Sequence, residues 1–214
     1  MSKFTSKIYK TLNGRVMSSF YPLKKIWEKD LNVVIDQETW TTICAKVNLS
    51  SLSPRILEHN YKFIFKTYLT PVCLNKMSSD YSPLCNRCKL ALGTYPHMFW
   101  FCPKIKPFWQ LIHNQIEKIL KVKLRKSPLL YLLGADPNVI MSSAHRKLFD
   151  LFRFVAKKCI LILWKTDDTP SEHMWMAQIM SLLPLERLKY ETQNKADVFL
   201  EIWTPILDYI EESS

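Results

Sequence analysis

The sequence predicts an all-α fold. Glycine is scarce, at 3 of 214 residues, while apolar residues make up 48% of the chain. Apolar side chains also recur at steps of three and four, which places them along one face of a helix. The clearest such stripe is Ile56, Leu57, Tyr61, Ile64, Phe65 and Tyr68. Few glycines and long amphipathic runs favour helices over a sheet sandwich.

The first half of the chain divides into a lead-in and a run of helices. Residues 1–20 are basic and polar, and we expect a loosely ordered lead-in there. Residues 21–126 form a basic helical segment. Capping residues and prolines set its first helices. They are expected at Tyr21–Asn32, from the cap Asp36 to about Val47, from Ser53–Pro54 to about Leu69, and from Thr70–Pro71 onward.

The rest of the chain is predicted to continue as helices. Pro103 is predicted to open a helix that ends in the basic run Lys121–Lys126. This run could contact phosphate, act as a targeting signal, or simply stabilise the helix by complementing its dipole. Linkers are expected around Ser127–Pro128 and from Gly134 to Ser143. The bundle, residues 127–214, then contains a long helix to about Lys165 with a charged surface face, a helix capped by Ser171, and a last helix from Ala196 to about Glu211. The charged face comprises Arg146, Asp150, Arg153 and Lys157.

Four residues form a motif with metal-ligand chemistry: Cys85, Cys88, His97 and Cys102, spaced Cys-x2-Cys-x8-His-x4-Cys. Three thiolates and one imidazole are a preferred donor set for tetrahedral zinc, and a closed four-ligand set is structural rather than catalytic. The predicted architecture is therefore a zinc-knuckle-bearing helical segment followed by the C-terminal bundle. Two alternatives stay open at this stage, buried free thiols and disulfides, since six cysteines is an even number.

The step from His97 to Cys102 places a condition on the local structure. Five positions along an α-helix turn a side chain by roughly 140° off the starting face, so an unbroken α-helix cannot present both residues to one ion. Pro103 biases Cys102 away from the α region. We therefore expect a short helix from about Thr94, a kink at Cys102, and a second helix. Cys73 lies near enough to substitute as a ligand, while Cys44 and Cys159 are expected in the core.

The stretch from Cys85 to Cys102, followed by Phe108–Trp109, resembles the zinc-binding region of reverse transcriptases. It is most similar to the C-terminal part of vertebrate non-LTR (long interspersed) retrotransposon polyproteins. Segments outside the motif agree: Trp27–Leu31 with Trp40, Tyr61–Lys62, Tyr68–Pro71, Leu74–Met77, and Leu163–Lys165 with Pro170 and Trp175. The resemblance implies a polymerase and an endonuclease upstream. This chain contains neither, and we interpret it as a C-terminal remnant or fragment.

The charge distribution indicates a polyanionic partner. Residues 1–126 hold 21 Lys and Arg against 7 Asp and Glu, a balance of +14, whereas residues 127–214 hold 9 against 12, a balance of −3. We expect RNA or DNA to contact the basic first half, since each neutralised phosphate releases counterions. A solvated basic face is the alternative. The candidate contact residues are Arg87, Lys89, Lys104, Lys106, Arg55, Lys62 and Lys66, with Trp100 or Tyr95 as stacking residues.

No catalytic apparatus is evident. Asp167–Asp168 is the nearest approach to a paired carboxylate, and helix-end solvation accounts for it better than a two-metal site. No glycine-rich phosphate loop, signal peptide or membrane-length apolar segment is apparent. We expect a non-enzymatic, intracellular protein, nuclear or cytoplasmic, without a small-molecule substrate. Two other functions remain: docking on a retroelement polymerase supplied by another chain, and a remnant without a selected role.

Overall fold

The computed structural model of the protein describes residues 22–45, 54–135 and 141–213. Within them the chain is helical and has no β-strand, which confirms the all-α prediction. The lead-in predicted at 1–20 lies outside these residues. The helices are α1 (22–31), α2 (Gln37–Ala45), α3 (Pro54–Ile64), α4 (Pro71–Met77), α5 (Lys106–Leu120), α6 (Ser143–Ile162), α7 (Glu172–Thr192) and α8 (Ala196–Ser213). Two π-helical turns accompany them, π1 (His97–Phe101) and π2 (Leu129–Leu133).

The residues that the structure describes fall into two compact units, one ending at Thr42 and the other beginning at Ile43. In the first, α1 buries Trp27 and Leu31, one turn apart. Asp36 caps α2 as predicted, since its Oδ1 accepts a hydrogen bond from the backbone N–H of Thr39 at 2.7 Å. The boundary predicted at residues 126/127 falls inside the second unit and stays a prediction.

Helix α6 is the centre of the second unit. It packs against α3, α5, α7, α8 and π2. Every residue from Leu148 to Lys157 is buried, because neighbours cover the helix on all sides. Aromatic side chains fill the interfaces, and two indole N–H groups donate to backbone carbonyls there: Trp109 to Phe99 at 2.6 Å and Trp175 to Phe152 at 3.0 Å. The core therefore lies around α6, where Trp109 and Trp175 satisfy their polar atom as well as burying their ring.

The charged surface face predicted on α6 is wrong. Asp150, Arg153 and Lys157 are buried, and their polar atoms pair internally. Arg153 Nε donates to Asp150 Oδ1 at 2.7 Å, and Arg153 Nη1 and Lys157 Nζ both donate to the carbonyl of Leu132. The spacing of charged residues along a helix does not show whether their face is solvated. Here the face is buried, and its donors bind a carbonyl of π2, which is distant in sequence.

The linker predicted around Ser127–Pro128 is present on its N-terminal side, where residues 122–127 have no regular secondary structure. It leads directly into π2, whose residues Leu130–Leu133 are buried in the core. Ser127 Oγ accepts the N–H of Leu130 at 3.2 Å, which starts the turn. Gly134 ends the turn with φ of +73°, and a Cβ at that position would lie 2.3 Å from Nη2 of Arg153. Glycine is required there by backbone conformation and by space.

Within the described residues, no helix combines the length and the apolarity needed to cross a bilayer.

Candidate metal centre

The first two candidate ligands lie in a loop closed by backbone pairing. Leu84 and Leu92 form an isolated antiparallel bridge, and the N–H of Cys85 donates to the carbonyl of Ala91 at 2.8 Å. The chain turns tightly between them: the N–H of Lys89 donates to the carbonyl of Cys85, and Lys89 has a left-handed φ of 56°. This local geometry places Cys85 and Cys88 on the same side of the turn. The Leu84–Leu92 bridge is the only strand-like pairing in the part of the chain that the structure describes.

The other two ligands are brought together by π1. The N–H of Cys102 donates to the carbonyl of His97 at 2.9 Å, a bond between residues five apart, and this bond defines a π-helical turn. The wider turn aligns positions that an α-helix would place on different faces. Thr94 caps it, because Thr94 Oγ1 accepts the N–H of His97. Cys102 leaves the helix with ψ of 126°, as Pro103 requires.

Part of the predicted local structure needs correction. Pro103 does not open the next helix; residues 103–105 form a turn, and α5 begins at Lys106. The predicted kink at Cys102 is present, but the preceding segment is a π-turn rather than a short α-helix. A π-turn carries no signature in local propensity that the sequence analysis could have used.

The four ligand atoms converge. One donor atom from each of Cys85, Cys88, His97 and Cys102 lies within 4.8 Å of all the others. The sulfurs of Cys85 and Cys102 are 3.8 Å apart, and Cys88 Sγ is 3.4 Å from His97 Nε2. A tetrahedral zinc with ordinary bond lengths sets sulfurs about 3.8 Å apart and a sulfur–nitrogen pair about 3.6 Å apart. The spacing therefore fits one tetrahedral metal ion.

Of the two alternatives, disulfides do not match the structure, whereas buried thiols without a metal remain compatible with it. All six cysteines are free thiols, and the sulfurs of Cys85 and Cys102 lie far beyond the ~2.05 Å of a disulfide. Cys73 is exposed and lies outside the cluster. Cys159 is fully buried, as expected of a core position, and Cys44 is partly exposed.

The electrostatics of the cluster bear on ligation. Burial, followed by the charge of Arg87, lowers the pKa of His97 and so favours the neutral imidazole that binds metals. Burial raises the pKa of Cys102 to about 11. At Cys88 burial also acts upward, but hydrogen bonds from the backbone of Leu90 and Ala91 contribute to a pKa that is lowered overall. Metal binding at Cys102 must therefore displace a proton that burial favours.

Arg87 is not part of a nucleic-acid surface, contrary to the sequence prediction. It is 3% exposed, and its guanidinium donates four hydrogen bonds to carbonyls elsewhere in the fold. The acceptors are Met98 at 3.1 Å, Ile160 at 2.9 Å, Leu163 at 3.2 Å and Asp168 at 3.2 Å. Two of these belong to the C-terminal end of α6, whose last carbonyls have no partner within the helix. Arg87 thus caps α6 from the metal loop, the segment 84–108 that carries the four candidate ligands.

Asn86 makes a second link between the same two regions, which the sequence analysis missed. Its Nδ2 donates to the carbonyl of Trp164 at 3.2 Å, and the indole N–H of Trp164 donates to the carbonyl of Leu69 at 2.8 Å. These partners lie 78 and 95 positions apart along the chain. No local sequence pattern reports contacts at such separation.

The other predicted contact residues fall into two groups. Lys89, Lys104 and Lys106 are exposed, and each lies within four positions of a metal ligand. On and after α3, Lys62 is exposed and pairs with Glu58 at 2.6 Å, while Lys66 lies over the ring of Tyr95 at 5.5 Å. The side chain of Arg55 lies outside those that the structure describes.

The predicted stacking residues belong to packed interfaces. Tyr95 is buried, and its hydroxyl donates to the carbonyl of Phe63 at 3.0 Å. Trp100 is partly buried and packs against Trp109 and Tyr131, with ring centroids 5.1 and 6.0 Å away. Tyr95 is therefore excluded as a surface for a base, and Trp100 is engaged by its neighbours.

No protein-family model matches the sequence. The resemblance to the reverse-transcriptase C-terminal region therefore stays a prediction from the residues that carry it.

Proposed function

We propose that the protein is a non-catalytic RNA-binding module ordered by zinc, akin to the C-terminal region of a non-LTR retrotransposon reverse transcriptase. The observation that carries the proposal is the convergence of four ligand atoms within 4.8 Å of one another. Three cysteines and one histidine favour zinc over harder cations such as Mg²⁺ or Ca²⁺. Four protein ligands leave no position for a reactive water, so the metal is structural.

Three exposed lysines support nucleic acid as the partner. Lys89 follows the ligand Cys88 directly, while Lys104 and Lys106 follow Cys102 by two and four positions. Because the sulfurs of Cys85 and Cys102 lie 3.8 Å apart, the metal holds the two chain segments that carry these lysines together. A fixed array of cations suits phosphate, which contributes affinity without reading sequence. RNA is the expected polymer by the family resemblance.

Metal analysis tests the first half of the proposal. Protein purified without chelator should contain one zinc per chain, and Cys88→Ser should lose tight binding. Cys73→Ser is the matched control, since Cys73 is an exposed thiol outside the cluster. Parent protein without zinc, or a Cys88→Ser variant that retains it, contradicts the proposal.

A salt titration tests the second half. The triple variant Lys89→Gln, Lys104→Gln, Lys106→Gln should bind single-stranded RNA more weakly and with a shallower dependence on salt, because each lost phosphate contact removes about 0.7 from the slope for single strands. The control removes three exposed lysines distant in sequence from the ligands: Lys118, Lys147 and Lys195. If both variants keep zinc and lose affinity equally, the effect is one of net charge, and the metal-loop lysines are not the contact surface.

A second candidate function is docking on a polymerase body supplied by another chain. Leu84 and Leu92 form the antiparallel bridge of the metal loop, and both side chains are exposed, as is Leu90 at 83%. The hydrogen bonds flank the bridge, so Leu84 and Leu92 are a non-hydrogen-bonded pair with close side chains. Exposed apolar neighbours on a rigid loop favour a protein contact. Copurification that survives high salt, and that Leu84→Ser with Leu92→Ser abolishes, would favour this function.

A further inference from the structure

A pocket lies between α3 and the end of α6, away from the lysines of the metal loop. It has a volume of about 420 Å³, within the roughly 300–1,000 Å³ of small-molecule sites. Its aromatic walls are His59, Tyr68 and Trp164, and its cationic side chains are Lys158 and Lys165. Among the residues that the structure describes, no carboxylate lines it, although Glu58 acts electrostatically on His59 and Tyr68, and Asp167 and Asp168 follow soon after along the chain.

The aromatic walls form a connected set. The rings of His59 and Tyr68 are stacked with centroids 6.3 Å apart, and His59 Nδ1 lies 2.7 Å from the hydroxyl of Tyr68. Trp164 lies 6.3 Å from Tyr68 and 4.9 Å from the buried Phe99. Tyr68 and Trp164 are themselves only partly buried. The rings are thus held by their neighbours while part of their surface remains accessible, which is the arrangement that planar ligands use.

The walls are also fixed by the metal loop. Trp164 donates its indole N–H to the carbonyl of Leu69 and accepts a hydrogen bond from Asn86 through its own carbonyl. Asn86 lies between the ligand Cys85 and the buried Arg87, which caps the same end of α6. A metal ion at the cluster would therefore immobilise Trp164, and pre-organisation of this kind lowers the entropy lost on binding.

We propose that this pocket binds one unstacked nucleotide of single-stranded RNA, with the base against Tyr68 and Trp164 and its phosphate on Lys158 and Lys165. This inference rests on the proposed function and adds to it a base-dependent site. Aromatic rings stack with any base, and lysines bind phosphate, so the pocket favours single strands over duplex without reading sequence. The pocket contains residues from both halves of the chain, whereas the charge balance alone predicted RNA contact only in the first half.

The test compares two ten-nucleotide RNAs, oligoadenylate and an abasic strand with the same backbone, in fluorescence anisotropy with zinc-loaded protein. The parent should bind oligoadenylate about tenfold more tightly, since stacking contributes roughly this factor per base. Trp164→Leu should reduce the ratio to near one. Tyr81→Leu is the control, because Tyr81 is an exposed aromatic outside the pocket. The double variant Lys158→Gln, Lys165→Gln leaves the aromatic walls in place. It should lower the affinity for both RNAs and leave the ratio of the two affinities unchanged.

Adenosine monophosphate, followed by NMR, separates failure of the pocket from failure of the proposed function. Shifts confined to residues around His59, Tyr68 and Trp164 support the pocket even if neither RNA binds, and that result would reject the RNA-binding function alone. A different result would overturn the pocket and leave the RNA-binding function standing. In that case the parent binds both RNAs with equal affinity, the Lys89, Lys104, Lys106 variant loses this binding, and the nucleotide causes no NMR shifts. If neither RNA nor the nucleotide binds, both the pocket and the RNA-binding function are rejected. An unchanged ratio in folded Trp164→Leu protein also overturns the pocket.

Discussion

A single side chain, Arg87, connects the candidate metal centre to the helical core. Its positive charge is buried, yet four carbonyls accept its N–H groups, so the desolvation of the guanidinium is largely offset. A zinc ion bound by three thiolates would carry a net charge of −1, which the neighbouring guanidinium would balance. From the sequence, Arg87 looked like one more basic residue in a basic segment. The structure shows it buried, and three of its four acceptors lie more than 70 positions away along the chain.

We expect Arg87→Met to lower the free energy of unfolding by about 3 kcal/mol, because four carbonyls lose a charged donor at once. Urea unfolding of the zinc-loaded protein measures this change. Lys89→Met, two positions on and exposed, is the matched control and should stay within about 0.5 kcal/mol of the parent. Equal and small effects of the two substitutions would show that the Arg87 hydrogen bonds contribute little.

A buried lysine gives the stability a pH dependence. Burial lowers the pKa of Lys157 well below its usual value, with the neighbouring Arg153 adding to the effect. Between that lowered pKa and the unfolded value near ~10.4, the unfolded chain binds more protons than the folded one, so the stability contribution of Lys157 rises with pH. Below the folded pKa both states are protonated and the contribution is constant.

Lys157→Met should therefore flatten the stability profile in the pH range between the lowered folded pKa and the unfolded pKa of about 10.4. Relative to the variant, the parent should gain stability as pH rises, by at most about 1.4 kcal/mol per pH unit. Urea unfolding at several pH values measures both curves, with Lys147→Met, an exposed lysine on the same helix, as the control for loss of one charge. Parallel curves for parent and Lys157→Met would rule out a shifted lysine.

At the scale of elements, sequence reasoning succeeded where local chemistry determines structure. The cap at Asp36, the start of α4 after Thr70 and the start of α7 after Ser171 follow from side chains that bond within three residues. It failed at π1, π2 and the face of α6, where tertiary partners override local preference. The candidate ligands were predictable from residue type and spacing. The pocket was not, because its residues come from positions 59 to 166.

Gly134 and Lys121, which directly follow π2 and α5, both adopt left-handed backbone conformations. Substitutions at the two positions should change the stability in opposite directions. Gly134→Ala should destabilise the protein by about 2–4 kcal/mol, since a Cβ adds strain at positive φ and meets the guanidinium of Arg153. Lys121→Gly should stabilise it by up to ~1 kcal/mol, because Lys121 has φ of 52° at the end of α5. Thermal unfolding measures both. A tolerated Gly134→Ala would mean that Arg153 can move away.

For the whole molecule, we predict that metal removal acts beyond the metal loop. Chelation should abolish hydrogen-exchange protection across residues 84–108 and also weaken it at residues 160–168, which accept hydrogen bonds from Asn86 and Arg87. Helices α7 and α8 should keep their protection. Hydrogen exchange with mass spectrometry resolves these regions. Loss confined to the loop would show that the two links do not depend on the metal, and uniform loss would indicate global unfolding.

The cap that Arg87 places on α6 limits how this chain can be divided. A cut between residues 126 and 127 would leave a buried cation in one piece and its carbonyl acceptors at Ile160, Leu163 and Asp168 in the other. Either piece alone would lose these hydrogen bonds, and a guanidinium that stayed buried without them would cost several kcal/mol. We therefore expect the metal loop and α6 to be gained, lost or exchanged between proteins together, as one module, whatever sequence lies on either side of them.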